Sequence, residues 1–552
     1  MIRRCSDSGN GLLIHADAGL PVQNAERRSL RPILTVPSIS LSHKIIRNTA
    51  WNFFSRLIHL PINILLIPFI IHHVGEARYG IWVALFAFVD YVSLLDFGIG
   101  AATIKYVADY HTSRDIKKIG QVIATTSLLN LIFITPLAAA YFWAEGILNF
   151  FPISTRDLAE ALFVFRWILI IFAVGQFASV FRNILIGLQH FPIQNLCEII
   201  YIVAYALATM AVLGSGAGLR GMIIMLFCLR CGLAVSQISC VFKFLPGLLQ
   251  GCGQIDVVMA RSLLRFGMKL QLSSLAGLIN FQLDKLLIGH FLKMEFVAYY
   301  ELGAKLAMLV RLIPSVLMGP LLPASAELAV RTDTVKLKEL YLRGTRYIAL
   351  IAAPAAAFLV VMAPEIMKLW LGERSHAHAE LALQLLAISY FFNILTGAVN
   401  SVGRGIGVLT YELQATGLMT ALNLGLSLSL VILFGYAGAL IGTAAAMTIG
   451  NSVYLWRFSR FMGTTAGQLL ATVLSKPLGC ACLAGASLYG LHYFLLDTVH
   501  WIAFSRLELA AYVVGAGGVY LAVFTFILWM TKFFTRADAE TLHQLLTAVR
   551  AA

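Results

Sequence analysis

The residues of this chain that could do chemistry are charged side chains set inside apolar runs. The segment FQLDKLLIGHF, residues 281–291, places Asp284 beside Lys285 in the middle of such a run. Twelve charged residues share this kind of position: Arg56, Asp90, Asp96, Arg166, Arg182, Arg230, Lys269, Asp284, Lys285, Glu301, Lys305 and Arg311. An ionised group among apolar residues is costly unless it faces water or an opposite charge. These positions therefore indicate a pathway for an ion or a charged substrate.

The runs that hold these charges predict membrane-spanning helices. Hydrophobic residues make up 59% of the 552 residues and charged residues only 12%, a composition too apolar for a water-soluble domain. About fourteen runs reach the length that a helix needs to cross a hydrocarbon core of roughly 30 Å. We expect an all-α polytopic membrane protein with spans 1 to 14 at 50–72, 79–103, 119–143, 162–187, 196–214, 220–245, 265–290, 297–325, 344–363, 381–408, 414–434, 436–458, 470–496 and 508–532.

Basic residues predict how these spans are oriented. With the amino terminus in the cytoplasm, the tails and loops on the cytoplasmic side hold 26 Lys and Arg residues, and the loops on the opposite side hold 7. Because basic residues are enriched in cytoplasmic loops, this count predicts that both termini are cytoplasmic. The net charge of +14 follows from the same topology and requires no nucleic-acid partner.

An internal repeat divides the first twelve spans into two sets of six. At an offset of 220, VLGSGAG at 212–218 falls on ILFGYAG at 432–438, and RDIKKIG at 114–120 falls on TVKLKEL at 334–340. Six spans per copy give both copies the same orientation, which is a transporter architecture. The expected units are a disordered cytoplasmic tail at 1–43, a six-helix lobe at 44–245, a cytoplasmic linker at 246–263, a second six-helix lobe at 264–465, two extra helices at 466–535 and a cytoplasmic tail at 536–552.

The intramembrane charges concentrate on repeat-related spans, because nine of the twelve lie on spans 1, 2, 7 and 8. Helical spacing puts Asn52, Arg56, His59 and Asn63 on one face of span 1, and Lys269, Ser273, Gly277, Asn280 and Asp284 on one face of span 7. We expect these two faces to be opposite walls of one hydrated chamber. Adjacent residues of a helix diverge by about 100°. Asp284 is therefore expected to face the chamber, and Lys285 to point to a neighbouring helix or to the outer interface a few residues away.

Two sets of candidate site residues follow. The candidates for binding an anionic substrate are Arg56, Arg230, Lys305, Arg311, Asn52 and Asn280. The candidates for ion coupling or gating are Asp90, Asp96, Asp284 and Glu301. Structural explanations stay open for part of this set. Arg56 lies near a span end, where its side chain could equally extend to the lipid headgroups. Glu301 and Lys305 can form an ion pair at i, i+4. We expect no catalytic residue, metal site or cofactor.

Four segments resemble a known family of membrane proteins: residues 48–110, 283–306, MKLWLGE at 367–373, and 422–446. The first contains NTAWNFFSRLIHLPINILLIPFIIHHVGEARYGIWVALF, and the second begins LDKLLIGHF. They are similar to the polysaccharide biosynthesis flippases, O-antigen-type exporters of the multidrug/oligosaccharidyl-lipid/polysaccharide exporter superfamily. The similarity extends over about residues 44 to 460.

The resemblance implies a structure and a function. It implies two six-helix lobes around a cavity lined by helices 1, 2, 7 and 8, with alternating access. It implies that a glycan linked to undecaprenyl pyrophosphate crosses the cell inner membrane for surface polysaccharide assembly. The implied partners are this lipid-linked glycan, membrane lipids, and the polysaccharide polymerase and chain-length machinery.

Two alternatives belong to other classes of function. A multidrug or cation antiporter of the same fold should carry an acidic excess in its cavity, whereas basic residues outnumber acidic ones eight to four within the spans. A membrane glycan polymerase or ligase generally needs a sizeable outer loop for its acceptor. The longest outer loops here, at about 144–161 and 364–380, run under twenty residues. We therefore favour a transporter over an enzyme.

Overall fold

The computed structural model describes residues 38–92, 96–245, 255–498 and 505–533, and every regular element in these ranges is helical. The chain forms two compact units, residues 1–49 and 50–552. Within the first unit, the described part is the beginning of the first helix. The tail expected at 1–43 lies largely outside the described residues, and its last six residues, 38–43, are helical instead of disordered. Half of the linker expected at 246–263 also lies outside them, and residues 257–263 of it are helical. The tail expected at 536–552 lies entirely outside them.

The first copy of the repeat contains eight helices, which we call the N-lobe. They are α1 (Ser38–Val74), α2 (Glu76–Val92), α3 (Ile99–Thr112), α4 (Ile116–Phe142), α5 (Ala144–Leu148), α6 (Thr155–Gly187), α7 (Phe191–Gly214) and α8 (Gly218–Phe244). Within the N-lobe, α6 is the central helix, and α2, α3, α4 and α8 all pack against it.

The second copy, which we call the C-lobe, repeats this order. Its helices are α9 (Val257–Phe291), α10 (Met294–Ala307), α11 (Leu309–Leu317), α12 (Leu321–Val330), α13 (Thr334–Val361), α14 (Ala363–Leu371), α15 (Ala377–Gly405) and α16 (Thr410–Phe461). The central helix is α15, which contacts α10, α12, α13 and α16. The chain continues through α17 (Ala466–Leu469), α18 (Ser475–Thr498) and α19 (Arg506–Met530), of which α18 packs on α13 and on α19.

The helices account for the fourteen expected spans. In the described part of the chain, 9 helices are long and apolar enough to cross a membrane. One of them, α16, carries two spans, because Gly435 has φ 60° and bends the helix in its middle. The other four expected spans are 1, 2, 7 and 8, which correspond to α1, to α2 with α3, to α9, and to α10 through α12. Spans 2 and 8 are each divided into several helices, and the four spans together carry nine of the twelve intramembrane charges.

Two helix caps show the repeat at the level of single residues. The side chain of Asp115 accepts a hydrogen bond from the backbone N–H three residues later at the start of α4, and Asp333 does the same at the start of α13. Each aspartate follows a residue with positive φ, Arg114 at 57° and Thr332 at 55°. These positions are 218 apart (115 and 333), so the register in this loop is two residues shorter than the expected offset of 220. The parallel repeat itself is confirmed.

Candidate functional site

A cavity of about 250 Å³ lies between the two lobes. Its walls come from α1 and α2 of the N-lobe and α9 and α10 of the C-lobe, with one side chain from α7. These are spans 1, 2, 7 and 8, on which the charges concentrate, with an addition from span 5. The polar and aromatic residues that line the cavity are Asn63, Tyr79, Trp82, Phe86, Asp90, Tyr205, Gln282, Lys285, Glu301 and Lys305.

One carboxylate in this cavity holds two lysines. Oε2 of Glu301 lies 2.6 Å from Nζ of Lys285, and Oε1 of Glu301 lies 3.1 Å from Nζ of Lys305. The Glu301 and Lys285 side chains are 9% and 11% exposed, whereas that of Lys305 is 46% exposed. The expected i, i+4 pair is therefore present, and Lys285 from the neighbouring helix completes a Lys–Glu–Lys triad.

A second carboxylate lies in the opposite wall of the cavity. Asp90 on α2 accepts a hydrogen bond from the Gln282 side chain on α9, with 3.1 Å between Nε2 and Oδ2. This bond joins the two lobes in the middle of the molecule. The described lining thus contains two carboxylates and two ammonium groups, so the basic excess of the whole set of intramembrane residues is not reproduced among them.

The orientation expected for the LDK segment was wrong. Lys285 lines the cavity, whereas Asp284 is completely buried inside the C-lobe, where the Tyr300 hydroxyl donates a hydrogen bond of 2.7 Å to it. The hydroxyls of Ser427 and Thr443 on α16 lie beside the same carboxylate. The two side chains diverge as helical geometry requires, but Asn280 and Asp284 of the polar stripe on α9 face α16 instead of the other lobe.

Asp284 belongs to a buried polar cluster between α9, α10 and α16. The Asn280 amide donates to the Thr420 hydroxyl at 3.1 Å, and the Ser427 hydroxyl donates to Oδ1 of Asn423 at 2.7 Å. Asn280, a candidate for substrate binding, is fully buried here, outside the cavity. The cluster gathers carboxylate, amide and hydroxyl oxygens around one negative charge.

Two arginines expected at the substrate site lie elsewhere. The Arg230 guanidinium stacks over the Tyr201 ring, 4.8 Å from its centroid, on the contact between α7 and α8. That of Arg311 lies 4.6 Å from the centroid of Phe281. Neither residue is among the residues that line the cavity. Aromatic faces attract guanidinium groups, which gives each arginine a partner inside its own lobe.

The remaining candidates are one aspartate in a turn and two residues whose side chains are not described. Asp96 accepts a hydrogen bond of 2.9 Å from the backbone N–H of Gly98, at the interruption between α2 and α3. It stabilises the turn there and does not line the cavity. The side chains of Asn52 and Arg56 lie outside the described residues.

Sequence reasoning missed the aromatic wall on α2. Tyr79, Trp82 and Phe86 line the cavity with Asp90 from the same helix. Their spacing of three or four residues places all four side chains on one helical face. The sequence therefore does contain a signal for this wall, namely aromatic residues at helical spacing followed by an aspartate.

Four hydrogen bonds join the two lobes toward the end of the cavity near the start of α2, and three of them run between a side chain and a backbone carbonyl. The four bonds are Trp370 Nε1 to the Ile64 carbonyl at 2.8 Å, Arg374 to the Ile71 carbonyl at 2.6 Å, His290 Nδ1 with the Phe150 carbonyl at 2.6 Å, and the Tyr299 hydroxyl to the Glu76 carboxylate. The last of them joins two side chains. Together these bonds hold the two lobes against each other.

The lobes also touch beyond the other end of the cavity. There the Gly98 backbone, at φ 70°, lies against the backbone of Gly267 on α9. A side-chain carbon on Gly98 would lie 2.5 Å from the Gly267 carbonyl oxygen, so this contact requires the absence of side chains. The cavity therefore lies between two contacts of the lobes.

Comparisons with known proteins agree with this architecture. A family model described as polysaccharide biosynthesis protein matches residues 74–379, more than half of the chain. A Shigella flexneri protein named as an O-antigen transporter is 20% identical over 432 residues, with 75% of this chain and 98% of the relative covered. A Haloferax volcanii protein named as flippase AglR is 21% identical over 486 residues, with 81% of this chain and 95% of the relative covered.

Two solved structures have a similar fold. The lipid II flippase MurJ in an inward closed conformation superposes with a TM-score of 0.65 at 14% identity, covering 88% of this chain and 99% of that one. A multidrug resistance MATE family transporter of the MOP superfamily, in an inward-facing conformation, gives a TM-score of 0.63 at 17% identity, covering 74% of this chain and 96% of that one.

Proposed function

This chain belongs to the family of polysaccharide biosynthesis proteins, and from that premise we propose that it is a flippase that moves a lipid-linked oligosaccharide across the inner membrane by alternating access. Its substrate is a glycan on an isoprenoid pyrophosphate, of the undecaprenyl type. Both termini are cytoplasmic, and the partners are the lipid-linked glycan, membrane lipids, and the polysaccharide polymerase and chain-length machinery.

The observation that carries this proposal is the Lys285–Glu301–Lys305 triad in the cavity between the lobes. Two ammonium groups on one carboxylate leave one positive charge uncompensated within the triad. A pyrophosphate carries several acceptor oxygens, and charge-assisted bonds to them are stronger than bonds between neutral groups. The triad thus offers an anionic headgroup two cationic donors, one half exposed and one nearly buried.

Glu301 acts in this mechanism as an exchangeable counter-ion. A buried lysine whose carboxylate is removed is strongly destabilised. If the incoming phosphate takes over the contacts of Lys285 and Lys305, each ammonium keeps an anionic partner throughout. Glu301 then becomes the group released in the substrate complex, which makes it the gating residue. Because Lys305 is half exposed, it is the first of the two lysines that a substrate meets.

The size of the cavity supports movement of the lobes. Sites for small molecules generally have volumes of roughly 300–1,000 Å³, and a glycan on a pyrophosphate needs at least that much. The cavity volume of about 250 Å³ is too small for it. We infer that the lobes separate at one end to admit the headgroup and at the other end to release it. The bonds made by Trp370 and Arg374 must break in the outward-open conformation.

The buried cluster around Asp284 is the candidate site for a coupling ion. Its oxygens come from Asp284, Tyr300, Asn423, Ser427 and Thr443. Hard cations such as Na⁺ bind oxygen ligands, and a carboxylate is also a site for a proton. We propose that one of these cations binds Asp284 and biases the packing of α9 on α16. Asp90 joins the lobes through Gln282 and serves as a second gating carboxylate, and Asp96 acts on the interruption beside it.

A multidrug or cation antiporter of the same fold is the second candidate. The specific observation in its favour is that the described cavity lining holds as many carboxylates as ammonium groups, which removes the charge argument against a cationic substrate. A glycan polymerase or ligase is the less favoured third candidate.

The test is expression in a bacterial strain that lacks its own exporter for a lipid-linked glycan. We expect the chain to restore surface glycan and to remove the lipid-linked sugar stranded on the cytoplasmic leaflet, whose composition chemical analysis then identifies. The same cells are challenged with cationic drugs. Drug resistance without glycan export would establish the antiporter, and neither activity in folded, membrane-inserted protein would overturn both candidates.

A further inference from the structure

A groove on the N-lobe surface lies away from the central cavity. Its floor is α6, its sides are α4 and α8, and its volume is about 340 Å³. The side chains at its centre are Arg166, Trp167 and Phe163 of α6, with Tyr141 of α4 on one side and Arg220 of α8 on the other. The transport mechanism proposed above uses none of these residues.

The groove holds two guanidinium groups and no carboxylate among the eight residues that line it. The Arg166 guanidinium lies 5.4 Å from the Tyr141 ring centroid, and its buried Nε has no hydrogen-bond partner. That of Arg220 lies 5.5 Å from the Phe163 ring centroid. Glu160, one helical turn from Phe163, pairs with Arg78 at 3.3 Å. The two arginines therefore present two positive charges that the lining does not neutralise.

The surroundings of the groove are those of a bilayer interface. On α4 and beside it, Phe142 and Trp143 are 79% and 80% exposed, and Leu131 deeper along the helix is 60% exposed. Exposed apolar residues on a membrane helix face lipid, and exposed aromatic residues near its end mark the headgroup level. Both arginines lie toward this end of their helices. With the termini cytoplasmic, it faces the outer leaflet.

The internal repeat shows what fills the equivalent place in the C-lobe. In the register of 218, Ile170 at the inner end of the groove corresponds to Ile388 on α15. Ile388 lies in an apolar cavity of about 430 Å³ that α13, α15 and α18 line and that holds no charged side chain. This face of the C-lobe is thus apolar, whereas in the N-lobe the same face carries two arginines.

We propose that this groove binds the anionic phosphate headgroup of a membrane lipid. The two guanidinium groups approach the phosphate oxygens from opposite sides, and one acyl chain lies along Trp167 and Ile170. A free phosphate ion would satisfy the arginines but would leave these apolar residues uncovered, so the ligand is a lipid. The proposal is independent of the glycan assigned to the central cavity.

The experiment is native mass spectrometry of the purified full chain with phosphatidylglycerol and with phosphatidylcholine of the same acyl chains. The parent protein should retain at least one more phosphatidylglycerol than phosphatidylcholine. In R166Q/R220Q we expect this retention to fall about tenfold, as loss of charge-assisted contacts requires. The control R457Q/R460Q removes the same charge from α16 and should retain the lipid like the parent.

Two more variants and a competitor complete the design. I170W fills the inner end of the groove, keeps both arginines and should also lose the lipid, which keeps the test decisive if R166Q/R220Q does not fold. R166K/R220K should retain part of the binding, since ammonium groups keep the charge but not the bidentate geometry. Three results would overturn the proposal: equal retention in R166Q/R220Q and R457Q/R460Q, equal retention of both lipids by the parent, or displacement of phosphatidylglycerol by millimolar inorganic phosphate.

Discussion

At the scale of single residues, the Glu301 carboxylate neutralises part of the charge of two lysines on membrane-spanning helices. It bonds Lys285 at 2.6 Å and Lys305 at 3.1 Å, so its loss leaves two ammonium groups without their carboxylate. Lys285 is 11% exposed and depends on this pair, whereas Lys305 reaches the wider part of the cavity at 46% exposure. The three residues of the triad therefore differ in how much folding and how much transport depend on them.

The first prediction follows from this difference. Glu301→Gln should lower the unfolding temperature of the purified protein more than Lys305→Gln does, because removing one partner of a buried ion pair costs on the order of 3–5 kcal/mol. The control is Lys118→Gln, which breaks an exposed pair with Asp115 and should have almost no effect. Equal unfolding temperatures for Glu301→Gln and Lys118→Gln would show that the triad does not stabilise the fold.

The second prediction separates the neighbours Asp284 and Lys285. Asp284→Asn keeps an acceptor for the Tyr300 hydroxyl but removes the charge that binds a coupling cation. Transport by this variant should become insensitive to imposed Na⁺ and proton gradients. Lys285→Gln should slow transport and leave its response to the gradient intact, because Lys285 lines the cavity. A response to the gradient that survives in Asp284→Asn would exclude this residue as the coupling site.

Helical spacing predicted only part of this site, for a physical reason. Asp90, Glu301 and Lys305 line the cavity as expected of residues on the concentrated spans. Periodicity states which side chains share a face of a helix, but not which neighbour that face meets. The stripe that contains Asn280 and Asp284 meets α16 of its own lobe instead of the other lobe. That choice depends on long-range packing, which a single sequence does not display.

At the scale of the elements, an interrupted helix brings the backbones of the two lobes into direct contact. The break between α2 and α3 exposes the backbone at Gly98, and Gly267 on α9 packs directly on it. The sequence predicted a span over 79–103 but not its interruption, because Asp96 and Gly98 are too short a signal within an apolar run. Helix starts such as those at Asp115 and Asp333 can be predicted from sequence, because each depends on a hydrogen bond from a backbone N–H three residues later to the aspartate side chain.

The third prediction tests this close approach. A side-chain carbon added by Gly267→Ala would lie 2.4 Å from the Phe97 carbonyl oxygen, so the two lobes must move apart on this side. The overpacking should cost roughly 1–3 kcal/mol, measured as a lower unfolding temperature, and should slow transport. Gly277→Ala is the matched control on the same helix, because the space at that position is open. If both variants behave alike, the approach at Gly267 has no role in closure.

At the scale of the whole molecule, two parallel lobes surround a polar cavity, and the described cross-lobe bonds hold the lobes together near one end of it. The parallel repeat was predictable because it leaves matching loops and an even number of spans in each copy. The position of α18 and α19 against the C-lobe was not, because these helices have no counterpart in the repeat. The conformation was not predictable either, since it depends on contacts such as that of Trp370 with Ile64.

The fourth prediction concerns the orientation of the molecule. Reporter fusions after Lys118 and after Arg343 should be cytoplasmic, and fusions near Arg156 and Arg374 should be external, because basic residues are divided 26 to 7 between the two sides. Activity of a reporter that works only outside the cytoplasm, fused after Lys118, would reverse the topology. It would also place the bonds of Trp370 and Arg374 on the cytoplasmic side.

The most direct measurement of the proposed function compares two double variants in cells that need this protein to export a lipid-linked glycan. K285Q/K305Q removes both ammonium groups of the cavity, and K117Q/K118Q removes the same charge from the first turn of α4. At matched amounts of folded protein, K285Q/K305Q should export roughly tenfold less glycan or none, because two charge-assisted contacts to the phosphate are lost. K117Q/K118Q should export like the parent. Export by K285Q/K305Q at the level of the parent would contradict transport of an anionic headgroup through this cavity.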